Sequence, residues 1–127
     1  MVIRPGPFPK NNLKRLQRQA SPDTATVTSS RALEPTSHRM NLSESHSLQY
    51  ILETVKGLSA TEFVESVLLS NTWFDVYACY RDGYGWYVKI GENDDGLLVL
   101  SHHEPEFEPV VTVSGLRVHG KEPQEAD

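Results

Sequence analysis

The alternation of hydrophobic and polar positions is clearest in residues 72–103, where three apolar runs are separated by turn residues. The middle run places Trp86, Val88 and Ile90 at every second position. A period of two is typical of a half-buried β-strand, because successive side chains point to opposite faces of the sheet. The pattern therefore predicts a meander of three antiparallel strands, at residues 73–81, 84–91 and 97–100.

The residues between these runs predict tight turns. Asp82-Gly83 favours a two-residue type I′ hairpin turn, because both central positions of that turn need a positive φ. Residues 93–96, Asn-Asp-Asp-Gly, predict a second turn. The three strands are thus expected to be neighbours in one sheet.

Upstream of the meander the apolar spacing changes to that of a helix. Four apolar residues fall at i, i+3, i+4 and i+7, namely Leu48, Ile51, Leu52 and Val55. This spacing predicts an amphipathic helix that begins after Ser43 and that Gly57 ends in the left-handed conformation. Ser59 and Glu62 then have the spacing of a capping box, which predicts a second helix with Phe63 and Val67 on its apolar edge.

Helices followed by a run of strands indicate an α+β fold. We expect N-terminal helices packed on one face of a small twisted antiparallel sheet. The domain is predicted to span residues 10–103, with the strongest pattern from residue 43 onward. An alternative reading places the first 39 residues outside the domain.

The two ends of the chain are patterned more weakly. Residues 1–9 contain three prolines and predict an extended lead-in. A short basic helix capped by Asn12, a brief strand at 24–28 and a helix from 29 that Pro35 limits are expected next. Residues 104–127 predict an acidic tail, with a short edge strand at 110–113 and disorder from residue 120.

Composition argues against a membrane-spanning or secreted protein. The 127 residues suffice for one small domain, and no apolar run is long enough to span a bilayer. The first residues lack the apolar core of a secretory signal, and the single Cys79 suits a reducing compartment, so a cytoplasmic protein is expected.

The net charge of −5 hides a basic N-terminal third with seven Lys or Arg in residues 1–40. That third either faces a polyanion or is a solvated arm.

The candidate catalytic residues lie on the meander. Tyr87 and Lys89 share the strand face opposite the apolar one, and the third strand ends in His102 and His103. A tyrosine, a cation and an imidazole suit metal-free cleavage of RNA, in which one group takes the 2′-OH proton and another protonates the leaving oxygen. The alternative is a solvent-facing side-chain pair beside a strand end. No Cys or His lies at metal-ligand spacing, so neither metal nor cofactor is expected.

The order of several motifs in the central part of the chain resembles the MqsR family of mRNA-interferase toxins. These motifs are Gly57-Leu58-Ser59, Glu62-Phe63, Trp73-x-Asp75-Val76-Tyr77, Tyr87-x-Lys89-Ile90 and Leu98-Val99-Leu100-Ser101. The match spans about residues 48–103. The resemblance implies a RelE-like fold, a metal-independent endoribonuclease that cleaves mRNA, and a cognate antitoxin protein as partner.

The resemblance also suggests site residues. Tyr87 matches the family's active-site tyrosine and Lys89 the lysine of the same strand. His103 stands where the family has a lysine after the last strand, which makes it a candidate general acid, with His102 beside it. Phe74 replaces a glutamine and is expected to stack on a base.

Two further residues bear on the function. Arg31, in the basic N-terminal third, is the remaining candidate for substrate binding. Glu65 replaces a family lysine and would repel a phosphodiester. Two hypotheses therefore stay open: an active endoribonuclease toxin, or a binding module of the same fold, for RNA or a protein partner, that has lost nuclease activity.

Overall fold

The computed structural model describes residues 2–5 and 8–124 of the chain. Within these residues there are three α-helices, α1 Leu13–Arg18, α2 Glu34–Met40 and α3 Glu44–Lys56. The strands are β1 Val2–Pro5, β2 Ala25–Val27, β3 Phe63–Leu69, β4 Thr72–Arg81, β5 Tyr84–Asn93, β6 Gly96–His103, β7 Val110–Val111 and β8 Arg117–Val118. A π-helical turn at Ser29–Leu33 leads into α2, and a 3₁₀ turn at Ala60–Glu62 leads into β3.

Six of the strands form one sheet in the order β1-β3-β4-β5-β6-β2. The predicted α+β class is confirmed, but the sheet is mixed rather than wholly antiparallel. The strand β2 pairs parallel with β6, whereas the other neighbours pair antiparallel. The long crossover that a parallel pair requires is supplied by all the chain between these two strands.

The meander is confirmed as β4, β5 and β6. Its first turn has φ of 55° at Asp82 and 82° at Gly83, as a type I′ turn requires. One irregularity interrupts the second pairing: Lys89 lies opposite Ser101, but Ile90 lies opposite Val99. Leu100 is therefore an extra residue in β6, a β-bulge, and its carbonyl accepts a hydrogen bond from Thr28 Oγ1 (2.8 Å).

The helices pack on one face of the sheet, as predicted. Trp86, Val88 and Ile90 of β5 are fully buried in one cluster with Ile51 and Val55 of α3. Burying each such side chain stabilises the fold by roughly 1.5–3 kcal/mol. The alternation of β5 thus directs its odd-numbered side chains, Tyr87 and Lys89, to the opposite face.

The N-terminal third belongs to this core. Leu16 and Ala20 from the α1 region and Ala32 from the π-helical turn are buried in the same cluster. This contradicts the alternative in which the first 39 residues lie outside the domain. The Asn12 cap forms as predicted, with the Arg15 amide donating to Asn12 Oδ1 at 3.1 Å.

The predicted second helix is wrong. The capping box forms, with the Ser59 amide donating to Glu62 Oε1 at 2.8 Å, but it encloses only a 3₁₀ turn. The following residues form β3 instead, because Val64 and Val67 have β-branched side chains that favour strands and β4 offers a pairing edge.

Two helix-end predictions also need correction. Gly57 has a φ of −89°, so it ends α3 in the right-handed region rather than the left-handed one. Pro35 does not limit its helix but lies in the first turn of α2, where the missing amide proton of proline is not needed.

The two chain ends are more structured than expected. The extended lead-in contains β1, which pairs with β3, while residues 1, 6 and 7 lie outside the described part. The strand predicted at 110–113 forms only at Val110–Val111, and it pairs with β8 in a separate two-stranded sheet rather than at the edge of the main one.

The segment after β6 packs back onto the domain as far as Glu122, whose amide donates to the Gly83 carbonyl at 2.9 Å. The Gly85 amide donates to the Gly120 carbonyl at 2.9 Å, and a Cβ at Gly85 would lie 1.7 Å from the His119 carbonyl oxygen. Only glycine permits that approach. The disorder expected from residue 120 is therefore wrong for 120–122, and 125–127 lie outside the described residues.

Among the helices of the described chain, none combines the length and apolar character needed to cross a membrane.

A buried carboxylate fastens the N-terminal segment to the sheet. Asp75 of β4 accepts hydrogen bonds from the backbone amides of Lys10 (2.9 Å) and Asn11 (2.7 Å). It also accepts bonds from the Asn11 side chain and the Ser66 hydroxyl. Two acceptor oxygens thus satisfy four donors, which explains how a buried charge is tolerated here.

We expect Asp75→Asn to lower the free energy of unfolding by about 2–3 kcal/mol, because an amide nitrogen would face donors that need an acceptor. Chemical denaturation measures this change. Asp94→Asn, the same substitution at an exposed turn position, should have almost no effect. Equal stabilities of the two variants would contradict this account of Asp75.

Candidate functional site

The open face of the sheet, opposite the helices, carries a stacked pair of rings. Tyr87 of β5 lies directly opposite His103 of β6 in the antiparallel register. Their ring centroids are 5.1 Å apart and the planes differ by 16°. Cross-strand neighbours point to the same side, so the register itself puts a phenol beside an imidazole.

Two cations surround this pair. Lys89 Nζ lies 5.6 Å from the centroid of the Tyr87 ring. Arg31 reaches over from the π-helical turn, and its Nη2 lies 3.1 Å from His103 Nε2 and 2.8 Å from Glu106 Oε1. Four of the six predicted site residues, Tyr87, His103, Lys89 and Arg31, are therefore brought together.

These four residues line a cavity of about 470 Å³. Its other walls come from β3, through Glu65, and from the segment after β6, through Glu106 and Phe107. The volume is within the range of small-ligand sites. The opposite charges are balanced, since Arg31 and Lys89 face Glu65 and Glu106.

The hydrogen bonds of His103 define its tautomer. Its Nδ1 donates to the carbonyl of Glu104 (2.8 Å), so the lone pair lies on Nε2 and accepts from Arg31. Burial and the nearby Arg31 hold the pKa of His103 below its ordinary value, against the effect of the Glu104 carbonyl. At neutral pH His103 is thus an uncharged base with its lone pair directed at the Arg31 guanidinium.

The neighbouring groups have shifted pKa values as well. Burial, followed by the charge of Glu65, raises the pKa of Tyr87 to about 12. Burial and the charge of Arg31 lower the pKa of Lys89. Tyr87 is therefore a phenol that keeps its proton, suited to donating it or a hydrogen bond.

His102 does not belong to this site. It points to the helical face, fully buried and stacked on Trp86 with ring centroids 4.4 Å apart. Its Nδ1 lies 2.7 Å from Thr36 Oγ1 and its Nε2 lies 3.1 Å from Thr54 Oγ1. The structure thus places this predicted catalytic residue in the core, because adjacent strand residues face opposite ways.

Phe74 also lies apart from the cavity. It is buried, and its ring packs against β5 at Gly91, where an added Cβ would lie 2.9 Å from Phe74 Cδ1. A ring held in this way offers no face for a base to stack on. The predicted role of Phe74 in substrate binding is therefore corrected to packing.

The sequence reasoning missed Glu106 and Phe107. Both lie beyond the predicted three-strand meander, in the segment expected to be an acidic tail. No local pattern pointed to these two residues, since of the apolar residues that follow them only Val118 is fully buried, while Val111, Val113 and Leu116 are exposed.

No group of three or more His, Cys, Asp or Glu side chains is arranged to hold a metal ion among the described residues. No family model matches the chain, and no curated protein matches it.

We expect the pKa of His103 to lie below 6.5, the ordinary value for histidine, in a titration followed by NMR of the imidazole resonances. Replacing Arg31 by Gln should raise that pKa, because a positive charge disfavours the imidazolium. Arg18→Gln removes the same charge at an exposed position and serves as the control. An unchanged His103 titration in Arg31→Gln would contradict the assigned contact.

Stability should fall below neutral pH because of His102. Burial lowers its pKa to about 3, whereas the unfolded chain titrates near 6.5. As the pH falls from 6.5 toward 3, the unfolded state binds a proton that the native state refuses, at about 1.4 kcal/mol per pH unit. Denaturation at several pH values should show that the free energy of unfolding depends less steeply on pH in His102→Gln than in the wild type. His46→Gln is the exposed control.

Proposed function

We propose that this protein is an MqsR-like toxin of a type II toxin–antitoxin pair, an endoribonuclease that cleaves mRNA in the cytoplasm by metal-independent acid–base chemistry. The observation that carries the proposal is the stacked Tyr87–His103 pair in a cavity shared with Arg31 and Lys89. The motif resemblance supports the same reading independently of the cavity, since it includes Tyr87 and Lys89 by position.

The proposed reaction begins at His103. When Arg31 turns from Nε2 to the phosphate, the freed Nε2 lone pair takes the proton of the ribose 2′-OH, and the 2′-oxygen attacks the adjacent phosphorus. This role as base follows from the tautomer, in which Nδ1 keeps its proton for the Glu104 carbonyl. The proposal thus replaces the expected general-acid role of His103 with that of the general base.

The second proton transfer is assigned to Tyr87. Its phenol, with a pKa raised to about 12, gives its proton to the leaving 5′-oxygen as the P–O bond breaks. Arg31 and Lys89 bind the non-bridging phosphate oxygens and stabilise the charge of the transition state. The products are a 2′,3′-cyclic phosphate and a free 5′-hydroxyl.

A cognate antitoxin is part of the proposal on the strength of the motif resemblance. A short reading frame adjacent to the gene, whose product binds this protein and blocks cleavage, would support it.

The second candidate is a non-catalytic binding module for RNA or a protein partner. The carboxylates of Glu65 and Glu106 favour it, because they offset the two cations of the cavity. An RNA-binding module would bind RNA with an affinity that falls as salt rises and would cleave none of it.

We expect purified protein to cleave a long mRNA in the presence of a chelator, with 2′,3′-cyclic phosphate ends on the products. His103→Ala should lower the single-turnover rate by about 100-fold, the usual contribution of a positioned acid or base, and Tyr87→Phe should lower it as well. His46→Ala, which removes an exposed histidine on α3, is the matched control. Wild-type cleavage rates in a folded His103→Ala variant would disprove the assigned site.

A further inference from the structure

An exposed ion pair stands at the junction of two cavities. Arg31 Nη2 and Glu106 Oε1 are 2.8 Å apart, and the two side chains are 53% and 52% exposed. A second cavity of about 430 Å³, lined also by His38 and Arg39, shares Arg31, His103 and Glu106 with the site cavity. The Arg31–Glu106 pair therefore lies on the boundary between two adjoining spaces.

The Glu106 carboxylate has the chemistry of a ligand in this position. A guanidinium binds carboxylate and phosphate oxygens through the same planar set of donors. Within the described chain, Arg31 is the one side chain that pairs with the Glu106 carboxylate. The same Nη2 of Arg31 contacts His103, so an anion held there lies beside the imidazole base.

The segment that carries Glu106 is fastened on both sides of it. The carbonyl of Glu104 accepts from His103 Nδ1, and Glu108 Oε1 accepts from the Gly120 amide at 2.7 Å. Between these anchors, Phe107 is 84% exposed. The Glu106 side chain can thus leave Arg31 without loss of either anchor.

We infer that Arg31 is a binding site for phosphate esters, that Glu106 occupies this site as an internal carboxylate, and that its displacement joins the two cavities into one groove. The identity of the ligand as RNA rests on the proposed function. In the joined groove the scissile phosphate lies on Arg31. The nucleotide on one side of this phosphate lies in the cavity of Tyr87 and Lys89, and the nucleotide on the other side lies in the cavity of His38 and Arg39.

In this arrangement Glu106 competes with the substrate for Arg31. Exposed ion pairs are weak, so a phosphate that contacts both Arg31 and Lys89 can displace the carboxylate. The carboxylate still repels the incoming anion and must be moved. Removing its charge should therefore strengthen anion binding at Arg31.

The test is the affinity of Glu106→Gln for inorganic phosphate and for a short 2′-O-methylated RNA, which cannot be cleaved. Binding is followed at low ionic strength through the imidazole resonances of His103. Glu53→Gln is the matched control, because Glu53 forms a comparable exposed pair with Lys56 and is 49% exposed. We expect roughly two- to five-fold tighter binding of both probes in Glu106→Gln and no change in Glu53→Gln.

A double variant, Arg31→Gln with Glu106→Gln, should lose the increase in phosphate and RNA affinity, because the anion site itself is removed. Equal phosphate affinities in Glu106→Gln and Glu53→Gln would overturn the inference, whether or not the protein cleaves RNA. A gain in Glu106→Gln without cleavage by any variant would overturn the proposed nuclease and leave the anion site standing. Tighter anion binding that persists in the double variant would also overturn the inference.

Discussion

One extra residue in β6 determines which histidine faces the site. From Leu97 and Val99, which are buried in the core, simple alternation would turn His103 inward and His102 outward. The bulge at Leu100 shifts the register by one, so that His102 lies opposite Val88 and His103 lies opposite Tyr87. Because a shift of one residue exchanges the two faces of a strand, the core and the candidate site both depend on this bulge.

The two adjacent histidines then acquire different chemistry. His102 is stacked on Trp86 and lies between two threonine hydroxyls, where its charged form is excluded by burial. His103 keeps one nitrogen on a backbone carbonyl and directs the other at Arg31. The neutral state of His102 is a consequence of its packing, whereas the neutral state of His103 leaves a lone pair on Nε2 that accepts from Arg31.

The segment after β6 completes the cavity and balances its charge. It brings Glu106 to Arg31 and Phe107 to the rim, and it is held on the domain through Gly85 and Gly120. Without this segment the cavity would be lined by the two cations Arg31 and Lys89 and by the single carboxylate of Glu65. The chain end therefore contributes to the function that the face can perform, as well as to the fold.

The sequence by itself determined the α+β class, the three central strands and the turn at Asp82-Gly83. It also determined that Tyr87 and Lys89 share one face of their strand. These features follow from local periodicity and turn chemistry. Tertiary structure decided the strand identity of residues 63–69, since β4 offers an edge that outweighs a local capping signal. It also decided the burial of Phe74, the inward turn of His102 and the contact of Arg31 with Glu106. Each of these depends on a bulge or on contacts between distant segments, which no local pattern encodes.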